Sequence, residues 1–409
     1  MPPQSRLSRR ALLAGALGGG AALLAACASE ALRSVSPSLV PSLGPTGTAI
    51  ATPTSSATPT VSLEARVAQM LLVGFRGTDT ASAASAIADI RDRSLGGVVL
   101  FSSDQPTGNP VRNIVSPDQL AELTAALQSA AGESEAGGPL AISVDEEGGL
   151  VARLDPAHGF PQTESAAALG ARDDAAYTRA AGKRIAETLK AAGVNLNLAP
   201  VVDLDVNADN PIIGALDRSF GADPALVTRQ ARAFISGHHD VGVLTTLKHF
   251  PGHGSSTADS HLGVVDVTRT WSPVELDPYR RLIPAGVVDA ILTAHVFNAR
   301  LDPDNPATLS AATIDGLLRG QLGWDGLVIS DDMQMGAIRT AYGYADAVRL
   351  AILAGVDVLT IANQQVFEAG IVERTVKIIT GQVARGEIPE ERIDRSWQRI
   401  QAFKARLAA

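Results

Sequence analysis

From residue 63 onward, short runs of unbroken apolar residues alternate with longer stretches whose apolar positions recur at helical spacing. Eight such runs occur, over residues 71–75, 97–101, 140–144, 195–202, 243–249, 290–296, 326–330 and 357–361. Each is short and apolar throughout, the pattern of a parallel strand buried on both faces. Two helix starts are spelled out between them. Ser116-Pro117-Asp118-Gln119 and Ser272-Pro273-Val274-Glu275 both read as capping boxes with proline at the first helical position. Further helices are predicted over 173–192, 341–354, 366–384 and 390–407. No second block of strands follows residue 362, so one domain over 63–409 accounts for the pattern.

Strands alternating with helices predict an α/β protein, and eight of them a single (β/α)8 TIM-type barrel. A doubly wound open sheet has the same local pattern. The polar residues separate the two. Asp145, Asp203, Lys248, His249, His295, Asp331 and Asn363 stand at or just past the C-terminal ends of different predicted strands. A barrel assembles its site there from several strands. An open sheet gathers its site at one switch point.

The first 62 residues do not share this pattern. Arg6, Arg9 and Arg10 precede an apolar, small-residue stretch, Ala11 to Ala26, of 16 residues. That is shorter than the roughly 20 residues a membrane span needs. It reads as an export signal, and the Ser8-Arg9-Arg10-Ala11-Leu12-Leu13 segment resembles a twin-arginine one. Leu24-Ala25-Ala26-Cys27 resembles a lipobox, which makes Cys27 the lipid-bearing first residue of the mature chain. Residues 27–62 are rich in Ser, Thr, Pro and Ala and almost uncharged, a composition that reads as a tether. The expectation is a protein exported and lipid-anchored at the outer face of the bacterial cell membrane. Cys27 is the only cysteine, so no intrachain disulfide can form. The formal net charge of −9 becomes more negative once the three arginines of residues 1–26 are removed. No basic stripe is present to neutralise phosphates, so nucleic acid is not the expected partner.

The densest chemistry lies at residues 248–261, KHFPGHGSSTADSH. Three of the seven histidines, His249, His253 and His261, fall within it, together with Lys248 and Asp259. It opens at the end of the fifth predicted strand. His249 and His253 are four apart, a helical metal-ligand spacing, but Pro251-Gly252 between them opposes a helix. No metal or other cofactor is expected. Lys248 and His249 end the strand and suit rigid hydrogen-bond donors. One residue separates Asp259 from His261, so the carboxylate can reach Nδ1 and leave Nε2 to exchange a proton. Gly252 and Gly254 are expected to let this loop swing.

This segment resembles the signature of the β-N-acetylglucosaminidase branch of glycoside hydrolase family 3. Three further blocks agree in order: Val144-Asp145-Glu146-Glu147-Gly148-Gly149 followed by Arg153, Asp217-Arg218-Ser219-Phe220-Gly221, and Ile329-Ser330-Asp331-Asp332-Met333. The resemblance covers about residues 63–405 and implies several roles. Asp331 is the nucleophile of a covalent glycosyl-enzyme, with Asp332 as the competing assignment and a helix N-cap as the plain one. His261 and Asp259 form an acid/base dyad where most retaining glycosidases use a second carboxyl group. Asp145, Arg153 and Arg218 bind the same sugar; read without the resemblance, the two arginines are surface ion-pair partners.

The expected activity is that of an exo-acting, retaining β-N-acetylhexosaminidase. It removes non-reducing terminal β-linked N-acetylglucosamine from carbohydrate such as peptidoglycan fragments. A phosphorylase of the same branch, a β-glucosidase and a non-catalytic sugar-binding lipoprotein remain as alternatives. A monomer held to the membrane by its lipid anchor is expected. His253 has no assigned role.

Overall fold

The computed structural model describes residues 61–407. The signal segment, Cys27 and most of the tether therefore lie outside the described residues. Among the described residues, no helix is long and apolar enough to cross a membrane.

Eight parallel strands form one sheet: β1 (Leu71–Gly74), β2 (Gly97–Leu100), β3 (Ala141–Val144), β4 (Leu196–Asn197), β5 (Leu244–Phe250), β6 (Ala290–Thr293), β7 (Leu327–Ile329) and β8 (Leu359–Ile361). Each pairs with its neighbour in sequence, and β1 pairs with β8 through Leu71↔Leu359 to Val73↔Ile361. A parallel bridge between Ile329 and Val358 joins β7 to β8 and closes the ring. The fold is the predicted (β/α)8 barrel. Its strands are buried along their whole length, as the unbroken apolar runs require.

Two predicted strands are shorter than their apolar runs. The run at 195–202 is a regular strand only over Leu196–Asn197; Pro200 has no N–H to give the ladder, although the Ala199 and Pro200 carbonyls still accept from Thr246 and Lys248. Pairing resumes at the Val201–Lys248 bridge. The run at 290–296 leaves the barrel after Thr293, and Val296–Phe297 pairs instead with Val265–Asp266. That small ribbon captures the chain as it leaves the loop after β5.

Both capping boxes form. The helix predicted over 173–192 spans Ala175–Ala191, because the two aspartates divide their roles. Asp174 caps it by accepting from the Ala176 and Tyr177 amides, while Asp173 ends the preceding helix Ala166–Arg172 in a left-handed conformation. The helices predicted over 341–354 and 366–384 start late, at Tyr344 and Ile371.

The C-terminal helix Glu390–Leu407 lies against the N-terminal end of the barrel. Arg392, Arg399 and Ser396 reach from it to Asp357, which also accepts from Arg319 at 2.8 Å. Arg66, in the helix before β1, is bonded to Glu390 and Asp394. With that end sealed, the opposite end is left for the site.

Candidate active site

A cavity of about 700 Å³ opens at the C-terminal ends of the strands. Asp145, Arg153, Arg218, Lys248, His249, Asp259, His261 and Asp331, all singled out in the sequence, line it together. They arrive from well-separated places. Asp145 follows β3, Arg153 the small hairpin after it, Arg218 the long loop after β4, and Asp331 follows β7. Of the seven polar strand-end residues, Asp145, Lys248, His249 and Asp331 reach the cavity. Asp203, His295 and Asn363 are buried behind it and bond to the chain there.

One side of the cavity is a chain of alternating charges. Lys248 Nζ donates to Asp145 at 2.6 Å and to Glu147 at 2.7 Å. Glu147 also accepts from Arg218 Nε at 2.8 Å and Nη2 at 2.7 Å, a bidentate pair. Burial opposes ionisation of Glu147, but Arg218 and Lys248 beside it hold its carboxyl well below the usual range. With its partners fixed, Lys248 keeps one N–H and Arg218 part of its fork free to donate into the cavity.

Behind this row, Asp203 organises two histidines. Its buried carboxylate accepts from His249 Nδ1 at 2.7 Å and from the His253 amide at 2.8 Å. Burial works against its ionisation, and the charge of His249 and the bond from that ring bring it below the ordinary value. With Nδ1–H committed, His249 turns Nε2 towards Arg218, 3.4 Å away. His253 bridges Ser256 Oγ at 2.7 Å and Ser260 Oγ at 3.1 Å. Burial pushes its pKa down to about 4, so the ring is neutral near pH 7. The residue without a role in the sequence is thus the clasp of the loop that carries the dyad.

His261 Nδ1 lies 2.7 Å from Asp259 Oδ1, and the same oxygen accepts the His261 amide at 2.8 Å. Among the described residues His261 Nε2 has no protein partner. The loop is docked onto the segment after β7: the Gly336 amide donates to the His261 carbonyl at 3.1 Å, and the Ala337 amide to that of Ser260 at 3.2 Å. A methyl group on Gly336 would come within 2.6 Å of the His261 carbonyl oxygen. The expectation that Gly252 and Gly254 let the loop swing is corrected. Both are buried, and a Cβ on Gly254 would come within 1.9 Å of the Leu204 carbonyl oxygen. The Gly254 and Ser255 amides are also held by Glu275. These glycines permit close packing. The exposed part of the loop begins at Thr257.

At the end of β7 the two aspartates separate by contacts. Asp332 Oδ1 accepts from the Gln334 amide at 3.1 Å and the Ala362 amide at 2.9 Å, tying β7 to β8. Burial lifts its pKa to about 6. Among the described residues, Asp331 accepts only its neighbour's amide, at 2.8 Å, and it lines the cavity half-buried. Burial would raise its pKa, but His295, His249 and His261 hold it below the usual value. The plain reading of Asp331 as a helix N-cap does not apply, because the helix begins at Gly336 with Met335 at the cap.

The glycosyl hydrolase family 3 N-terminal domain matches residues 62–403. The chain belongs to that family. A β-hexosaminidase from Tolumonas auensis is 38% identical over 289 residues, which cover 69% of this chain and 80% of that protein. Among solved structures, a glycoside hydrolase family 3 β-N-acetylglucosaminidase from Paenibacillus sp. str. FPU-7 aligns with a TM-score of 0.77 and 38% identity. That alignment covers 85% of this chain but only 63% of the Paenibacillus protein. A β-N-acetylhexosaminidase from Beutenbergia cavernae aligns with a TM-score of 0.75 and 30% identity, covering 84% of this chain and 99% of that one.

Within this family 3 barrel, sequence reasoning left three site residues unassigned. Glu147 was visible in its motif but reads like any surface acid until Arg218 and Lys248 close on it. Asp203 was visible as a strand-end acid, yet its partners lie 46 and 50 residues further on. His253 was visible in the histidine cluster, but its serine partners were not. Among the described residues, no group of three or more His, Cys, Asp and Glu is placed to hold a metal. His249 and His253 are instead committed to Asp203 and to serines.

Proposed function

We propose that this family 3 glycosyl hydrolase, an enzyme acting on carbohydrate, is a retaining exo-β-N-acetylhexosaminidase that releases terminal β-linked N-acetylglucosamine. The observation that carries the reading is the His261–Asp259 pair at 2.7 Å, with Nε2 free of any partner among the described residues, on the same cavity as the Asp331 carboxylate. Asp331 attacks the anomeric carbon as the protonated His261 ring gives its Nε2 proton to the leaving oxygen. A glycosyl ester on Asp331 and a free aglycone result. His261, now neutral at Nε2, takes a proton from water, which attacks the same carbon and releases the sugar and the Asp331 carboxylate. Asp259 keeps the Nδ1 proton and the ring orientation throughout. Lys248, His249, Arg218, Arg153 and Asp145 bind the sugar hydroxyls. The β-hexosaminidase and β-N-acetylglucosaminidase relatives support the choice of sugar. The natural source of substrate is peptidoglycan fragments, met outside the cell membrane by an enzyme anchored through a lipid on Cys27.

The test is turnover of an aryl β-N-acetylglucosaminide. Asp331→Asn abolishes it, and His261→Ala lowers kcat by about 10²–10⁴, most strongly for poor leaving groups. Full turnover by both variants overturns the mechanism. For the anchor, Cys27→Ser moves the protein from the membrane to the soluble fraction; an unchanged distribution removes the lipid from the account.

A further inference from the structure

We infer that Arg339 recognises an anionic group, a carboxylate, on the leaving part of the substrate; this rests on the function proposed above. Arg339 ends the short helix Gly336–Arg339 after β7, is exposed and lines the mouth of the cavity. Among the described residues its guanidinium has no ion pair and no hydrogen bond, whereas Lys248 and Arg218 in the same cavity are committed to Asp145 and Glu147. Arg153, which also lacks an acidic partner, follows β3, on the far side of the ring from β7.

Position selects the leaving side. The Gly336 and Ala337 amides hold the carbonyls of His261 and Ser260, and the Arg339 amide donates to Met335 within the same turn. The backbone leading to Arg339 is thereby tied to the loop that carries His261, and the Arg339 side chain lines the same cavity, which puts it on the side where the leaving oxygen is protonated. Leu262, Met335, Gln364 and Gln365, which line the same cavity, carry no charge; of its acids, Asp259 is held by His261, and Asp331 and Asp332 stand at the end of β7. A guanidinium with unused donors at that place matches a carboxylate in its forked geometry. A neutral aglycone gains nothing comparable from it.

The experiment compares two β-1,4-linked disaccharides with the same terminal N-acetylglucosamine, one with a lactyl ether at O3 of the reducing sugar and one without. For Arg339→Gln, the ratio of kcat/KM for the carboxylate-bearing to the neutral disaccharide falls roughly fivefold, as expected for an ion pair open to solvent. Arg339→Lys restores part of the ratio. High salt lowers it in the wild type and leaves it unchanged in Arg339→Gln. Equal ratios in wild type and Arg339→Gln overturn the inference. So does sugar-1-phosphate formation in phosphate buffer that depends on Arg339, because the anion is then the acceptor. Equilibrium binding of both disaccharides to Asp331→Asn and Asp331→Asn/Arg339→Gln gives the same comparison without turnover. If the wild type hydrolyses neither sugar, the proposed function falls, and the binding ratio still decides the role of Arg339.

Discussion

Asp203 does not line the cavity, yet the orientation of His249 and the entry into the dyad loop both end on its carboxylate. Asp203→Asn replaces an acceptor with a group that is half donor. One of the bonds from His249 and His253 must be lost or reversed. The expected result is a kcat/KM lower by about 10–100-fold, with the fold retained by circular dichroism, as for residues that orient others from behind. Asp203→Asn at wild-type activity shows that His249 needs no such support. At this scale the sequence exposed the side chains that face the cavity, because they stand in short ordered motifs at strand ends. The groups behind them were hidden: Asp203 is recognisable only once β4 and β5 bring it against His249. The separation of Asp331 from Asp332 depended in the same way on the Ala362 amide, 30 residues on.

The elements around the dyad loop form a rigid base with a short exposed tip. Gly254 packs against Leu204, Glu275 holds the amides beyond it, and His253 clasps Ser256 to Ser260. Gly254→Ala drives a methyl into backbone and is expected to destabilise the protein by about 1–3 kcal/mol or more, read as a lower Tm. Gly336→Ala presses on the docked carbonyls at His261 and is expected to lower kcat more than it changes KM. An unaltered kcat shows that docking of the loop does not position His261. The strand and helix order was legible from apolar periodicity. Loop mechanics were not: glycine in a sequence permits a hinge or a close approach alike, and only the neighbour at 1.9 Å distinguishes them.

At the scale of the whole molecule, the two ends of the barrel have different tasks. The N-terminal end is closed by the C-terminal helix, whose Lys404 is buried and bonded to Gln69 at 2.6 Å. Burial pushes Lys404 down to about 7 from an ordinary 10.5. A lowered amine pKa means that the unfolded chain binds the proton more tightly. The penalty is complete below pH 7 and is relieved as pH rises towards 10.5. Lys404→Met is therefore expected to raise stability at pH 7 by about 1–2 kcal/mol, after the lost bond to Gln69 is allowed for, and by much less near pH 10. Denaturant unfolding at the two pH values measures this; a gain independent of pH points to packing alone.

The amino-acid sequence by itself determined the alternation of eight buried strands with helices, the barrel, and the side chains that meet at its mouth. These follow from local rules: unbroken apolar runs bury both faces of a strand, capping boxes start helices, and barrel strands end at one rim. Only the tertiary structure decided which acids support others, what His253 clasps and that Arg339, among the described residues, is left unpaired. Each of those depends on which backbone amide or charge lies a few ångströms away across the barrel, and that distance does not exist until the ring has closed.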